Sequence, residues 1–287
     1  MLAFEYELNL SKVNKNTYCF FGEPEAMDTH NNGNMSNSCF IDMGKSYLVI
    51  DSGPTYLYAK QAYSRMKKIK DLPISYVINT HTHDDHWLGN GYYKEIGVNI
   101  IGSSEFEHEE KPEKTRMQIH ITKEAYIGTQ QVFPNIFVAK QKVLELDGKK
   151  VFIESVDKKA HTKSDLFIYI PEYKTLFAGD LVFNQRIPSL RDGDITSWIQ
   201  ILEKIKAMNM DYVIGGHGTI VDKNSMDTTY KYLTQLKQET KQALEDGQEL
   251  VDAVDGITMD EFKNFNMYHS MHRQNVAIAY RMLEWEP

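Results

Sequence analysis

The sequence has few cysteines, no long apolar run and no long basic stretch. Its 287 residues include only 2 cysteines, which excludes a disulfide framework and any cysteine-based zinc finger. No apolar run approaches the roughly 20 residues that a membrane-spanning helix requires, so we expect no membrane span. The formal net charge of -8, with no basic stretch longer than RMKKIK, argues against a nucleic-acid partner.

The two cysteines, Cys19 and Cys39, fall in two segments that are predicted to be neighbouring strands. They could pair in an oxidising compartment, but the sequence favours two buried free thiols. The N-terminal stretch MLAFEYELNLSKVNKN has neither the basic nor the apolar region of a signal peptide. As it stands, the sequence therefore predicts a cytoplasmic protein, and a periplasmic location would require a leader ahead of these residues.

What the sequence does have is a series of short apolar segments separated by polar connections. Hydrophobic residues make up 41% of the chain, which is enough to bury a large core. Strands interleaved with helices predict an α/β protein in which antiparallel hairpins are common. Strands are predicted at 17–22, 38–44, 46–53, 75–80, 98–102, 135–139, 141–146, 149–156, 165–170, 175–180 and 211–218, with helices at 55–70 and 196–208.

The character of the sequence changes at about residue 224. The segment 224–247 begins with an Asn/Ser cap and ends at Gly247, and it carries a helical apolar stripe. The final segment repeats the pattern, with Met271, Met282 and Leu283 among its apolar positions. We therefore divide the chain into a main domain, 1–223, and a C-terminal helical segment, 224–287, that packs on it.

Three histidines and two aspartates lie within six positions of the stretch NTHTHDDHWLGN, which follows the apolar residues YVI. Residues two apart on an extended chain point the same way, so His81 and His83 can reach one ion. Asp85 and His86 follow where the chain should turn, so they should face a second position. This loop therefore offers two incomplete metal sites.

Three further candidate ligands follow other predicted strands. His161, Asp180 and His217 each have Gly or Ala close by, which lets the backbone approach closely. A set of imidazoles and carboxylates without a thiolate suits zinc, with iron or manganese as competitors.

The motif HTHDDH, followed in order by AHTKSD, FAGD and GGHG, resembles the metallo-β-lactamase superfamily over roughly residues 15 to 220. The resemblance implies an αββα sandwich, here with a C-terminal helical extension, and a centre of two zinc ions. Asp51, in IDSG, is implied to support the metal-binding loops without touching a metal. The implied ligands are His81, His83 and His161 for the first ion, Asp85, His86 and His217 for the second, and Asp180 as a bridge between them.

The residue at position 180 carries information about the subclass. Lactamases with a cysteine ligand on the second metal have that cysteine where this chain has Asp180. The ligand set here is similar to that of glyoxalase II. The context of the motif and the C-terminal sequence NVAIAYRMLEWE more closely resemble SoxH-like hydrolases of sulfur-oxidation and quinoprotein gene clusters.

The resemblance implies a hydrolase in which a hydroxide between two zinc ions attacks a carbonyl of a small molecule. An ester, thioester, lactone or β-lactam would fit. Asp180 would fix the separation of the ions, and Asp85 would bind the second ion and orient or accept the proton of the hydroxide. Two alternatives stay open: a persulfide dioxygenase with one iron held by two histidines and an aspartate, and a non-catalytic, metal-stabilised binding protein.

Candidates for substrate contacts lie next to these motifs. Arg186 and Arg191 follow Asp180 in LVFNQRIPSLRDGD, where either could bind a substrate carboxylate or remain a solvated cation. Trp87 could form a wall of the substrate pocket, although half-buried packing is favoured. Tyr126, within the charged segment 104–131, could belong to a lid.

Overall fold

A computed structural model describes residues 4–286 of the chain. The strands of this part form one sheet of seven strands and one of five. They are β1 (Asn9–Lys12), β2 (Thr17–Phe21), β3 (Ser38–Asp42), β4 (Tyr47–Ile50), β5 (Ile74–Ile78), β6 (Asn99–Ser103), β7 (Ile136–Val138), β8 (Gln141–Leu146), β9 (Lys149–Ser155), β10 (Leu166–Ile170), β11 (Thr175–Phe183) and β12 (Tyr212–His217).

The α-helices flank the two sheets or connect their strands. None of those within residues 4–286 is both long enough and apolar enough to cross a membrane. They are α1 (Tyr56–Ile69), α2 (Asp84–Trp87), α3 (Asn90–Glu95), α4 (Arg116–His120), α5 (Ile195–Lys206), α6 (Asp227–Glu245), α7 (Leu250–Gly256) and α8 (Tyr268–Leu283).

The two sheets pack face to face between layers of helices. In the larger sheet β1 to β4 are antiparallel and β4 to β7 parallel. In the smaller sheet β8 to β11 are antiparallel, and β12 runs parallel to β11. Aliphatic side chains such as Ile78 and Ile168 fill the space between the sheets. Helix α1 covers the outer face of the larger sheet, and α5, α6 and α8 cover that of the smaller one. The predicted αββα sandwich with C-terminal helices is confirmed.

The helices begin where the sequence supplies caps. The Thr55 side chain accepts a hydrogen bond from the backbone N–H of Tyr58 at the start of α1, and Asp194 accepts one from Ser197 at the start of α5. The N-terminal strand β1 was not predicted, because its residues are mostly exposed and show no apolar alternation. Helix α7 was also missed, since it is short and only Ala253 is buried.

The C-terminal helices share a hydrophobic cluster with the smaller sheet. Leu233 and Leu236 of α6 and Val276 of α8 are fully buried in the cluster that also holds Trp198 of α5. These contacts agree with packing of the tail on the main domain. The boundary between residues 223 and 224 stays a prediction.

The prediction of two free thiols is wrong. Cys19 on β2 and Cys39 on β3 lie directly opposite each other in the larger sheet and form a disulfide, which is buried in the hydrophobic cluster between the two sheets. Adjacent strands place such a pair within bonding reach only when the register aligns them. That register depends on the long connection between the two strands, which the sequence pattern did not resolve.

Replacing both cysteines by alanine should lower the free energy of unfolding. The disulfide closes a segment of 20 residues, for which loss of the cross-link costs about 3 kcal/mol. Urea unfolding of the oxidised wild type and of the double variant would measure the difference. Thiol titration of the unfolded, unreduced wild type should detect no free thiol, and two thiols per chain would contradict the pairing.

Candidate metal centre

Seven imidazole and carboxylate side chains meet where the ends of several strands converge. They form two groups, and within each group the donor atoms lie within 4.8 Å of one another. His81 and His83 follow β5, Asp85 and His86 lie in α2, His161 lies between β9 and β10, Asp180 lies within β11, and His217 ends β12. Strand β11 continues to Phe183, three residues beyond its predicted end, with a register shift at Gly179 that lies next to Asp180.

The first group consists of three histidines and Asp180. His83 Nδ1 lies 3.0 Å from His161 Nε2, which in turn lies 3.2 Å from Asp180 Oδ2. His81 Nε2 is 3.6 Å from the same carboxylate oxygen. All four side chains therefore direct one donor atom to a common point.

The second group lies on the other side of Asp180. Asp85 Oδ2 is 3.4 Å from His86 Nε2 and 3.6 Å from His217 Nε2. Asp180 approaches this group as well, with Oδ1 at 3.3 Å from His86 Nε2 and Oδ2 at 3.3 Å from His217 Nε2. Its carboxylate thus lies between the two groups.

These spacings fit metal ligation. Ligands at ~2.0–2.1 Å from a tetrahedral zinc ion lie about 3.3 Å from each other, close to the separations in both groups. His81 Nε2, His86 Nε2 and Asp180 Oδ1 are buried without a hydrogen-bond partner. Buried polar atoms are rarely left without partners unless an ion or water supplies one. The donor set therefore fits one divalent cation in each group.

Hydrogen bonds on the far side of the rings fix suitable tautomers. His86 Nδ1 donates to Asp51 Oδ2 at 2.8 Å, and His217 Nδ1 donates to the carbonyl of Met35 at 2.6 Å. His83 Nε2 donates to Asp192 Oδ2 at 3.1 Å. With a cation bound, the nitrogen of each ring that faces the group would supply the lone pair that a metal ligand requires.

Asp51 supports both groups. Besides His86, it accepts hydrogen bonds from the backbone N–H and the hydroxyl of Thr80, at 2.8 and 2.9 Å. The Thr80 oxygen lies 3.0 Å from His81 Nδ1, so Asp51 reaches the first group through this hydroxyl. Its backbone has φ 55°, a left-handed conformation that Asp tolerates better than most residues.

The charges in the centre balance one another. Burial lowers the pKa of His81 well below its usual value, so this ring is neutral. Burial opposes ionisation of Asp180, but the surrounding imidazoles, led by His217, hold its pKa well below the usual range. Burial also disfavours charge on His86, yet three carboxylates, led by that of Asp180, raise its pKa well above the usual value. A bound cation would supply the positive charge that the proton on this ring supplies otherwise.

The loops around the centre need glycine at specific positions. A Cβ atom at Gly216 would overlap Asp180 Oδ1, and one at Gly179 would press on the Thr80 side chain. Glycine at these two positions therefore allows the backbone to approach the neighbouring side chains closely, as the sequence predicted.

Replacing Asp51 by asparagine should weaken zinc binding by about 10–100-fold, because the amide no longer fixes the His86 ring as a carboxylate does. Asparagine also tolerates the left-handed backbone, so the loop should keep its path. Competition with a chelator would measure the affinity. Asp42→Asn, which alters an aspartate paired with Lys70 far from the centre, is the matched control, and equal affinity of the two variants would contradict the role of Asp51.

A cavity of about 420 Å³ opens over the two groups. Arg186 lines it and is only 3% exposed, yet it forms no ion pair with a carboxylate of residues 4–286. Its contacts are long: 3.5 Å to the carbonyl of Glu25, 3.5 Å to His217 Nδ1 and 3.9 Å to Met271 Sδ. Burial lowers the pKa of this guanidinium, although the charges of Asp180 and Asp85 oppose the shift.

Of the other two predicted substrate contacts, Arg191 also lines this cavity, whereas Trp87 does not. Arg191 is partly exposed at the rim and donates to Asp192 at 2.8 Å, so its charge is already paired. Trp87 is 4% exposed, packs its ring against Phe106 and Phe133, and donates its indole N–H to the carbonyl of Thr82. Its edge reaches a neighbouring cleft of about 320 Å³ rather than the cavity over the two groups.

Sequence reasoning missed two residues that hold the centre. Asp192 orients His83, and this hydrogen bond together with Arg191 lowers the pKa of the Asp192 carboxyl below its usual value. Arg116 of α4 pairs with Asp84 at 2.5 Å and lies 3.6 Å from Asp85 Oδ1, the oxygen turned away from the imidazoles. No motif marks either residue, because both reach the centre from separate loops. Tyr126 contacts Thr115, the cap of α4, and the lid stays a prediction.

Comparison with known proteins places the chain in a family. The family model of the metallo-beta-lactamase superfamily matches residues 31–217. A "Metallo-beta-lactamase type 2" of Elizabethkingia meningoseptica is 24% identical over 245 residues, covering 82% of this chain and 88% of the relative. A "Hydroxyacylglutathione hydrolase" of Brucella ovis is 28% identical over 139 residues, covering 48% of this chain and 45% of the relative.

The fold is shared with solved structures as well. A metallo-beta-lactamase from Pontibacter korlensis superposes with a TM-score of 0.62 at 18% identity, covering 79% of this chain and 99% of that one. At this identity the likeness concerns the fold alone. Together with the family match, which spans most of the chain, it leads to one conclusion: the chain belongs to the metallo-β-lactamase superfamily of hydrolases.

Proposed function

We propose that the protein is a dinuclear zinc hydrolase that hydrolyses a small molecule at a carbonyl group. The observation that carries the proposal is the convergence of seven side chains, with donor atoms 3.0 to 3.6 Å apart, in two groups that share Asp180. The first ion would be held by His81, His83, His161 and Asp180, and the second by Asp85, His86, His217 and Asp180.

The ions supply the chemistry when bound: two divalent cations lower the pKa of a shared water and polarise a carbonyl oxygen. The chain's own residues arrange this chemistry. Asp180, between the groups, would set the distance between the ions. Asp85 Oδ2 would bind the second ion. Its other oxygen, Oδ1, lies 3.6 Å from Arg116 Nη2, and this ion pair fixes the orientation of the carboxylate. No Ser–His or Cys–His pair is needed in this scheme.

Arg186 is the preferred residue for binding an anionic group of the substrate. A buried guanidinium without a carboxylate partner is costly, and a bound carboxylate would satisfy it with two parallel hydrogen bonds. Arg191 is less suited, because Asp192 already pairs with it. Ester, thioester, lactone and β-lactam substrates all remain in scope, and the names of the relatives support testing β-lactams and glutathione thioesters first.

The test combines elemental analysis with a small panel of nitrocefin, a lactone and a glutathione thioester. We expect about two zinc ions per chain and turnover of at least one compound that is lost on chelation and regained with zinc. A single iron together with oxygen uptake would instead favour the persulfide dioxygenase. Full metal occupancy without turnover of an ester, thioester, lactone or β-lactam would favour the binding protein.

The native metal, the absence of a nucleic-acid partner and the closer likeness to SoxH-like hydrolases stay predictions. The disulfide between Cys19 and Cys39 supports an oxidising compartment, and therefore the periplasmic alternative over the cytoplasmic one.

A further inference from the structure

The C-terminal helix α8 turns one stripe of its surface toward the cavity over the two groups. Met267, Ser270, Met271 and Gln274 line this cavity. Ser270, Met271 and Gln274 are three and four residues apart, which places them on one face of α8, and Met267 is the residue directly before the helix. A different face, with Val276 and Leu283, is buried in the hydrophobic cluster. The helix therefore joins the core and the cavity, although it lies outside residues 31–217 that match the family.

Two more methionines line the cavity from a distant part of the chain. Met27 and Met35 belong to the connection between β2 and β3, and Met35 is 9% exposed. With Met267 and Met271 they give the cavity four thioether side chains. Methionine is flexible and polarisable, so such a surface adapts to apolar groups of irregular shape.

The part of α8 that lines the cavity is held at a fixed position relative to Arg186. Asn275 of α8 donates to the carbonyl of Pro188 at 2.8 Å and accepts from the backbone N–H of Leu190 at 3.0 Å. At the start of the helix, Asn266 accepts from the backbone N–H of Ile187 at 3.1 Å. The backbone N–H of Asn266 also donates to the carbonyl of Gln185 at 3.2 Å, so these bonds lie on both sides of Arg186. They hold the cation close to the methionines, with Arg186 Nη2 3.9 Å from Met271 Sδ.

We propose that α8 is the specificity element of the centre, and that it selects amphipathic monoanions. The anionic group would bind Arg186, and an adjoining alkyl or acyl portion would pack between the methionines of α8 and those of the β2–β3 connection. The inference rests on the proposed function for what happens to the bound compound, whereas binding itself is measured separately.

The experiment uses zinc-loaded protein labelled with ¹³C in the methionine methyl groups, titrated with butyrate, hexanoate and octanoate. We expect the methyl signals of Met267 and Met271 to shift, while that of Met282, outside the cavity on the same helix, stays in place. Affinity should increase about fourfold for each added methylene, as expected when it leaves water. Hexanol, which lacks the charge, should bind more weakly than hexanoate.

The matched variants are Met271→Gln and Met282→Gln, which make the same change on two faces of α8. Met271→Gln should remove most of the dependence on chain length, whereas Met282→Gln should retain it. Equal behaviour of the two variants, or affinity independent of chain length, would overturn the inference. If the protein hydrolyses the panel but its affinity for the carboxylates does not depend on chain length, the proposed function stands and this inference is refuted. Chain-length-dependent binding without hydrolysis would do the reverse.

Discussion

Replacing Asp180 by alanine should abolish turnover and reduce bound zinc from about two ions per chain to less than one. This carboxylate approaches both groups, with Oδ2 3.2 Å from His161 Nε2 and Oδ1 3.3 Å from His86 Nε2. Its loss would weaken both sites at once. Because a bound metal stabilises the transition state by several kcal/mol, we expect kcat/KM to fall on the order of a thousandfold or more. Elemental analysis and steady-state kinetics would measure the two effects.

The control for this variant is Asp211→Ala, which removes an aspartate that is 58% exposed just before β12. Asp180→Asn is a second variant, since it keeps the size of the side chain and removes only the charge. Circular dichroism should show both position-180 variants folded, because the carboxylate contributes no apolar contact to the strands. A near-normal rate in either of them, or two tightly bound zinc ions, would contradict the proposed arrangement.

The parts of the centre that could be predicted are those set by local geometry. In the stretch from His81 to His86, extended backbone followed by a turn determines which side chains share a direction. His161, Asp180 and His217 were found because each lies by a predicted strand end, and strand ends meet at the edges of sheets. Even there, β11 extended past Asp180, since a strand boundary is set by pairing that the sequence does not display.

The parts that could not be predicted depend on long-range packing. Asp192 is 109 residues from His83, and nothing in its neighbourhood marks it as a partner for that ring. The pairing of Cys19 with Cys39 depends on strand register in the same way. From the sequence, Arg186 and Arg191 were equal candidates for binding a substrate carboxylate. Only the burial of Arg186 and its lack of an ion pair within the described residues separate the two.

Apolar periodicity also could not tell a core face from a cavity face. Met271 and Met282 were both assigned to the apolar stripe of the final helix. In the structure Met271 lines the cavity over the candidate metal centre, whereas Met282 does not. An apolar periodic pattern predicts only that a side chain is removed from water. A pocket that binds the apolar part of a ligand meets this condition as well as a hydrophobic core does.

Replacing His83 by alanine should have a more selective effect than the change at Asp180. His83 Nδ1 faces the first group, 3.0 Å from His161 Nε2, and His83 belongs to that group and not to the second. We expect one zinc ion per chain to be lost while the ion held by Asp85, His86 and His217 remains. Turnover should still fall on the order of a thousandfold, because both ions are needed to activate water and polarise the carbonyl.

The matched control is His120→Ala, which removes an exposed histidine at the rim of the same cavity. This control should keep both zinc ions and most of the rate, so it separates loss of a ligand from loss of an imidazole near the site. Retention of both ions by His83→Ala would show that His83 is not a ligand. Loss of both would show that the second group does not hold an ion by itself, and that the two sites form one cooperative unit through Asp180.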